Sequence, residues 1–522
     1  MTSLSKISKN CAFIVELGRG DSLGVELLTA ILRIAGHKVF LYLDKNQSAT
    51  PWIKSQRNLE EKKLLHFIEQ NQIEIAFFSV ATDYALRAQK IAQIIKCHKK
   101  EILTCFGGVH PTFAHEELLQ NPAIDFVCRG EGEIAIEKFV ESLSSKTAFP
   151  SGIYYRENNR IAGSGLGELT KNLDELPFPD KSDFYEQMPF IRNYYTIQLS
   201  RGCPGRCSYC NSPSMMDLYR DEKQVFFRRR SVASAIEELK IVKKVYRPKK
   251  ICFVDDTFIL DKTYMREFAL QYKKHINIPF YCNTQPNFFD EEILDLLVDA
   301  GMSDVEIGVQ SFCPRIKEDI YLRNESNDDV LRFVALLRNR KVFTHIDHIV
   351  SPWETTQDLE EQLPLYEKLR PSQMNVFFLS LYPGTKILNR TLEENIITNQ
   401  DYRAIQNGNV NTNYYCGGSV SQKELQKNKG ALIFLSLLPL IPSSVCRYII
   451  KKKYYQYFKI LPHMSVFLIR GIIALSSPKD TWGRMNLGNL YLQYLDLFNP
   501  VSQRRITEIR GISTFDKAGE TL

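Results

Sequence analysis

The sequence predicts an α/β protein: an N-terminal doubly wound parallel sheet, a central partial barrel of six strand–helix units, and a mainly helical C-terminal region. Three observations carry this expectation. Short apolar runs alternate with helical periodicity through residues 1–150 at the spacing of βαβ units. A second strand–helix series fills residues 191–390. Beyond residue 390 the alternation stops. Residues 151–190 read as a linker, because Leu176-Pro177-Phe178-Pro179 cannot continue regular structure.

In the first unit, Cys11 to Leu17 is an apolar run suited to a buried strand. Asp21 and Ser22 can cap a helix whose Leu23, Leu27, Leu28, Ile31 and Leu32 share one face, and Gly36 can end it. Strands are expected again at Lys38 to Leu43, Ile73 to Val80 and Ile102 to Phe106, with a helix from Tyr84 to Ile95. In the second unit the strand candidates are Tyr195 to Ser200, Lys250 to Val254, Pro279 to Gln285, Asp304 to Gln310, Thr344 to Val350 and Gln373 to Leu381. Ligands of such sheets gather at the carboxyl ends of the strands. Residues 391–522 carry two short apolar stretches, Ala431 to Ile441 and Val466 to Leu475, on either side of Lys451-Lys452-Lys453. Neither is long enough to span a bilayer, and buried helices of a cap are favoured over helices lying on a membrane.

With 67 basic and 60 acidic residues the net charge of +7 is small, so charge does not indicate a nucleic-acid partner. The twelve cysteines are scattered rather than framed for disulfides, and three fall within eight positions. That reads as metal chemistry in a reducing compartment. With no cleavage pattern behind the first apolar run, the expected location is the cytoplasm, with peripheral contact to the inner face of a membrane as a further expectation.

Cys203, Cys207 and Cys210 stand at the spacing C-x-x-x-C-x-x-C directly after the first strand of the second unit. Iron–sulfur clusters usually take four cysteines. Three thiolates leave one iron of a four-iron cluster open to a substrate or cofactor. A zinc site is the plainer alternative, but it needs a fourth ligand and commonly pairs C-x-x-C knuckles.

With Tyr209 just before the last cysteine, this motif resembles the radical S-adenosylmethionine (radical SAM) superfamily. The resemblance implies a 4Fe-4S cluster on the three cysteines. Its open iron chelates S-adenosylmethionine, which is reductively cleaved to a 5′-deoxyadenosyl radical, with electrons from a donor such as flavodoxin or ferredoxin. It implies S-adenosylmethionine contacts from Tyr209, from Asp255 and Asp256 at the second strand end, from Asn283 and Gln285 at the third, from Gln310 at the fourth and from Arg323. Many relatives carry Glu where this chain has Gln310, and a lone Arg323 would ordinarily be a surface residue. Ile349 to Thr355 and Tyr382 to Thr385 resemble the fifth- and sixth-strand turns, with no catalytic role assigned.

Gly107-Gly108 and Gly130-Glu131-Gly132 are glycine-bearing loops at strand ends, which let a ligand approach the backbone. Ahead of the cysteine motif they resemble the cobalamin-binding domain of the cobalamin-dependent subclass. Carried over, the cobalamin candidates are Ser79, Thr82, Gly107, Gly108, Gly130, Glu131 and Gly132. The D-x-H-x-x-G motif that supplies a lower cobalt ligand is absent, and His110 and His37 read as structural. The resemblance implies cobalamin-dependent methylation of an unactivated carbon in a small-molecule substrate, and the aromatic, apolar C-terminal region with its lysine run adds the expectation of a lipid-like one. Radical cyclisation, oxidation or rearrangement is the enzymatic alternative, and a cobalamin or iron–sulfur sensor the non-catalytic one.

Overall fold

A computed structural model describes residues 8–17, 21–44, 54–288, 290–409 and 422–461, with residues 471, 477, 479, 480 and 483. Its first sheet is built from β1 (Asn10–Glu16), β2 (Lys38–Asp44), β3 (Ile75–Ser79), β4 (Leu103–Gly107), β5 (Phe126–Cys128), β6 (Ile153–Glu157) and β7 (Arg160–Ala162). They stand in the order β2-β1-β3-β4-β5-β6-β7, the first five parallel. The strand order reverses at β1 and β3, so a crevice opens at their carboxyl ends, where doubly wound sheets bind ligands. Helix Leu23–Ile34 begins after Ser22, whose side chain makes no capping bond, and Gly36 (φ +91°) follows its end. Asp21, expected as a cap, is engaged elsewhere.

Residues 153–162, expected within the linker, instead extend this sheet as the antiparallel hairpin β6–β7. Asn158 and Asn159 both take positive φ, as a tight hairpin turn requires. Tyr155 packs its ring 5.0 Å from Phe149 and 6.0 Å from Phe126, so the hairpin covers apolar surface at the sheet edge.

The second sheet contains β8 (Tyr194–Ile197), then, after the short ribbon β9 (Ser200–Arg201) and β10 (Arg228–Arg229), β11 (Lys250–Phe253), β12 (Phe280–Thr284), β13 (Met302–Gln310), β14 (Phe343–Val350) and β15 (Gln373–Phe378). All six main strands are parallel and each pairs with its neighbour in sequence, from β8 at one edge to β15 at the other. This is the expected six-unit partial barrel. The turn after β14 serves the next helix: Thr355 and Asp358 form a reciprocal capping box on Thr356–Leu369.

Helix Gln422–Leu437 buries Ala431, Leu432, Phe434 and Leu435 as part of the core. The first C-terminal apolar stretch is thus a cap on the barrel. The second, 466–475, lies outside the described residues apart from Gly471. Among the described residues no helix is long and apolar enough to cross a membrane.

The linker locks the two sheets together through buried charge. Lys181, fully buried, donates to Asp21 at 2.8 Å and to Glu26 of helix Leu23–Ile34 at 2.5 Å. Thr196 on β8 donates to the other oxygen of Asp21 at 3.0 Å. Arg33 pairs with Asp180 and with Asp183, the latter at 2.8 Å.

Candidate functional site

The cysteine loop is set by a buried carboxylate. Asp255, just past β11, accepts hydrogen bonds from Leu199 N (3.1 Å), Ser200 N (2.6 Å) and Ser200 Oγ (2.5 Å). These fasten the segment that leads into Cys203. Burial raises the Asp255 carboxyl to about 6 against the pull of these donors. Asp255, expected to touch S-adenosylmethionine, does not line the cavity beside the cysteines, whereas Asp256 does. Asp255→Ala leaves two buried N–H groups without acceptors. It is expected to destabilise the protein by about 2–4 kcal/mol in urea unfolding and to lower iron retained per chain after reconstitution.

Donors surround the three thiols. Gly205 N points at Cys203 Sγ (3.3 Å), Ser212 N at Cys210 Sγ (3.4 Å), Gln285 Nε2 at Cys203 Sγ (3.5 Å) and Arg323 Nη1 at Cys207 Sγ (3.7 Å). Burial pushes the Cys210 thiol up to about 12, so a bound metal must take its proton's place. The thiols do not converge as around a single ion: among the described residues no three His, Cys, Asp or Glu side chains do.

The cysteines form one wall of a cavity of about 280 Å³ at the carboxyl ends of the barrel strands. Tyr209, Asp256, Asn283, Gln285, Gln310 and Arg323, six of the seven residues expected to touch S-adenosylmethionine, line it with the three cysteines. Arg323 is buried, not a surface arginine: it donates to Tyr209 Oη (3.0 Å) and Gly308 O (2.6 Å) and pairs with Glu325 (2.5 Å). Gln310 takes φ +65° where β13 slips register against β14, which turns its side chain into the cavity wall.

Sequence reasoning missed Thr284, Glu306 and Asp347, which line the same cavity. Tyr281 Oη donates to Glu306, and Asn375 Nδ2 donates to Asp347 at 3.0 Å. Burial raises the Glu306 carboxyl, opposed by its bonds to Tyr281 and Asp347. Glu306 shares a strand face with Gly308, two residues on, and that period of two was the available signal.

A second cavity, about 180 Å³, opens at the carboxyl ends of the first sheet. Six of the seven cobalamin candidates line it: Ser79, Gly107, Gly108, Gly130, Glu131 and Gly132. A side chain at Gly108 would strike Val80 O at 2.9 Å, so the backbone passes too close for any other residue. Thr82 is not in this wall. It is buried 3.3 Å from His110 Nδ1. Glu131 reaches the cavity, but Arg228 (2.5 Å) and Arg201 (2.9 Å) hold its carboxylate.

Burial alone pushes His110 down to about 4 from an ordinary 6.5. Between these values the unfolded chain binds the proton and the folded chain does not, so stability falls as pH drops from 6.5 to 4. The slope from this residue is about 1.4 kcal/mol per pH unit. His110→Gln is expected to flatten the pH dependence of the first urea transition over that window.

Comparison with known proteins follows this division. The family model of the radical SAM superfamily matches residues 197–363, and that of the B12 binding domain matches residues 13–140. The chain belongs to the radical SAM superfamily and carries a B12 binding domain. An uncharacterized methyltransferase of Pyrococcus horikoshii is 27% identical over 342 residues, covering 63% of this chain and 72% of its own. The anaerobic magnesium-protoporphyrin IX monomethyl ester cyclase of Rubrivivax gelatinosus is 23% identical, covering 69% of this chain and 64% of its own. Among solved structures, the cobalamin-dependent S-adenosylmethionine radical enzyme OxsB, with aqua-cobalamin and S-adenosylmethionine bound, shares the fold. Its TM-score is 0.63 at 16% identity, covering 93% of this chain and 75% of that one.

This is a radical SAM enzyme whose cofactors are a 4Fe-4S cluster, S-adenosylmethionine and cobalamin. The residues present fit them. A Cβ at Gly205 would stand 3.3 Å from Cys203 Sγ and 3.8 Å from Cys207 Sγ, filling space between the thiols that glycine leaves clear. Thr284 Oγ1 and Gln310 Oε1 are buried in the cavity wall without a hydrogen-bond partner among the described residues, ready for the hydroxyl and ammonium groups of a ligand. The second cavity has apolar walls from Phe13, Leu28, Phe77 and Ile136 over glycine turns, which suits a flat aromatic group.

Proposed function

We propose that this chain is a cobalamin-dependent radical methyltransferase that methylates an unactivated carbon of a small-molecule or lipid-like substrate. One observation carries the reading: the two cavities lie at the carboxyl ends of two sheets whose carboxyl-end loops contact each other. Glu131 and Glu133, beside the second cavity, pair with Arg201, two residues ahead of Cys203. Asn211, next to Cys210, donates to Pro383 O at 3.0 Å, and the adjoining Gly384 packs so closely on Phe113 of the N-terminal unit that a Cβ would lie 2.1 Å from its ring. When bound, the cluster and S-adenosylmethionine supply radical chemistry, and cobalamin supplies the methyl group. The chain's part is to orient them: Cys203, Cys207 and Cys210 fix the cluster, and Arg323 holds Tyr209 against the cavity. Asp256, Asn283, Gln285 and Gln310 are the polar contacts for S-adenosylmethionine; Ser79, Gly107, Gly108, Gly130 and Gly132 make the cobalamin cradle.

The matched methyltransferase supports this reading, and the matched cyclase favours the second one, ring formation without methyl transfer. S-adenosylmethionine labelled in its methyl group separates them. With the substrate and a flavodoxin or ferredoxin as donor, a methyltransferase carries label into product. Turnover with unlabelled product overturns the proposal. The scattered reduced cysteines fit a cytoplasmic setting, and peripheral contact with the inner face of a membrane is part of the reading.

A further inference from the structure

We infer that helix Ser443–Lys451 and the following turn Tyr454–Ile460 form a docking surface for an anionic lipid membrane. This deepens the membrane-contact part of the reading above, on which it rests, and does not depend on methyl transfer. The first observation is charge. From Leu425 to Lys479 the sequence holds no Asp or Glu and nine Lys or Arg, where the chain's average frequency of acids would place about six. Such a gap leaves nothing within the segment to repel an anionic partner.

The second is amphipathic packing. One side of the turn is anchored: Tyr455 and Phe458 lie 6.3 and 5.6 Å from the ring of Phe434 in the barrel cap, and Cys446 of the helix is buried. The other side faces outward. Tyr457 is 68% exposed and Ile460 80%, with Leu440, Val445, Tyr448 and Tyr454 also exposed. Tyr448, Tyr454 and Tyr457 stand in a row, with centroids 5.8 and 6.0 Å apart. Tyrosine rings beside lysines are the composition of a membrane interface, ring in the headgroup layer and cation toward phosphate.

Two of the cations are committed to the barrel, Arg447 to Glu367 (3.2 Å) and Lys453 to Glu360 (2.7 Å). Lys451, Lys452 and Lys459 are exposed and make no ion pair among the described residues. The anchored pairs hold the helix to the fold while the remaining lysines and tyrosines point away. This charge favours an anionic bilayer over a second copy, whose identical patch would bring like charges together.

Flotation of the full-length protein tests this with two vesicle types, phosphatidylcholine alone and phosphatidylcholine with phosphatidylglycerol. Co-flotation is expected with the second only, and is lost as salt is raised. The Lys451→Gln, Lys452→Gln, Lys459→Gln variant is expected to bind on the order of a hundredfold more weakly. Tyr457→Ser with Ile460→Ser weakens binding while keeping its salt dependence. Absence of flotation at low salt, or equal flotation of the wild-type protein and both variants, overturns the inference. So does a dimer that these substitutions dissolve in a protein that ignores lipid. Formation of 5′-deoxyadenosine in lipid-free solution is read alongside; it is expected to be unchanged in every variant and reports on the catalytic reading alone.

Discussion

Cys207→Ala is expected to leave a folded protein that no longer cleaves S-adenosylmethionine, with a loss of at least about a thousandfold, or about 4 kcal/mol in the barrier. In the proposed site three thiolates hold the cluster, so removing one leaves two irons without protein ligands. Cys207 is the one that Arg323 approaches, and it lies in a loop rather than in either sheet. Its loss should therefore cost metal rather than fold. Iron per chain after anaerobic reconstitution should fall well below four, while the far-ultraviolet circular dichroism spectrum and the first urea transition stay near wild type. The same substitution at the buried Cys11 or Cys105, in the core of the first sheet, should do the reverse and keep full iron. Wild-type cleavage by Cys207→Ala would remove the cluster from the chemistry and with it the function proposed above.

The parts of the site that could be read beforehand are those written in consecutive residues. The cysteine loop is one, because a cluster needs its ligands close together in space and the shortest route is close together in sequence. Gly108 in its glycine pair is another, since a backbone that passes Val80 O at 2.9 Å from where a Cβ would stand tolerates nothing larger. What escaped was set by partners far along the chain. Asp255 has the sequence of a ligand contact, but its oxygens are taken by Leu199 and Ser200, 55 or more positions earlier. Glu131 sits in a glycine loop like a cofactor contact, yet Arg201 and Arg228 from the β9–β10 ribbon claim it. Thr284 and Asp347 each stand among other polar residues of their strands, Asn283 on β12 and Thr344, His345 and His348 on β14, and only the curvature of the barrel brings the two to one wall. The hairpin at 153–162 was hidden because its strands are short and its polar turn, Asn158-Asn159, looks like linker.

Lys181 is the clearest case of a residue whose weight is invisible in sequence, and Lys181→Met is expected to be the most destabilising single change outside the cores. A lysine in a proline-flanked connector would ordinarily be solvated. Here the ammonium has no exposed surface and meets two carboxylates, Asp21 and Glu26, that come from the far side of the domain junction. Burial alone would drive its proton off, and the two carboxylates more than reverse that, so it remains charged. Methionine matches its length but leaves those carboxylates facing an apolar neighbour, and an uncompensated buried charge costs about 3–5 kcal/mol. The loss should appear as an early urea transition in which the N-terminal unit parts from the barrel, because Asp21 also bonds Thr196 on β8. Adding Glu26→Gln to Lys181→Met should recover part of the loss, since one of the stranded charges goes with it. Glu26→Gln alone should be mild, Asp21 still balancing the ammonium. If the double variant were instead less stable than Lys181→Met, packing rather than charge would hold this junction. The alignment of the two cavities would then rest on that packing together with contacts such as Glu131–Arg201 and Phe113–Gly384.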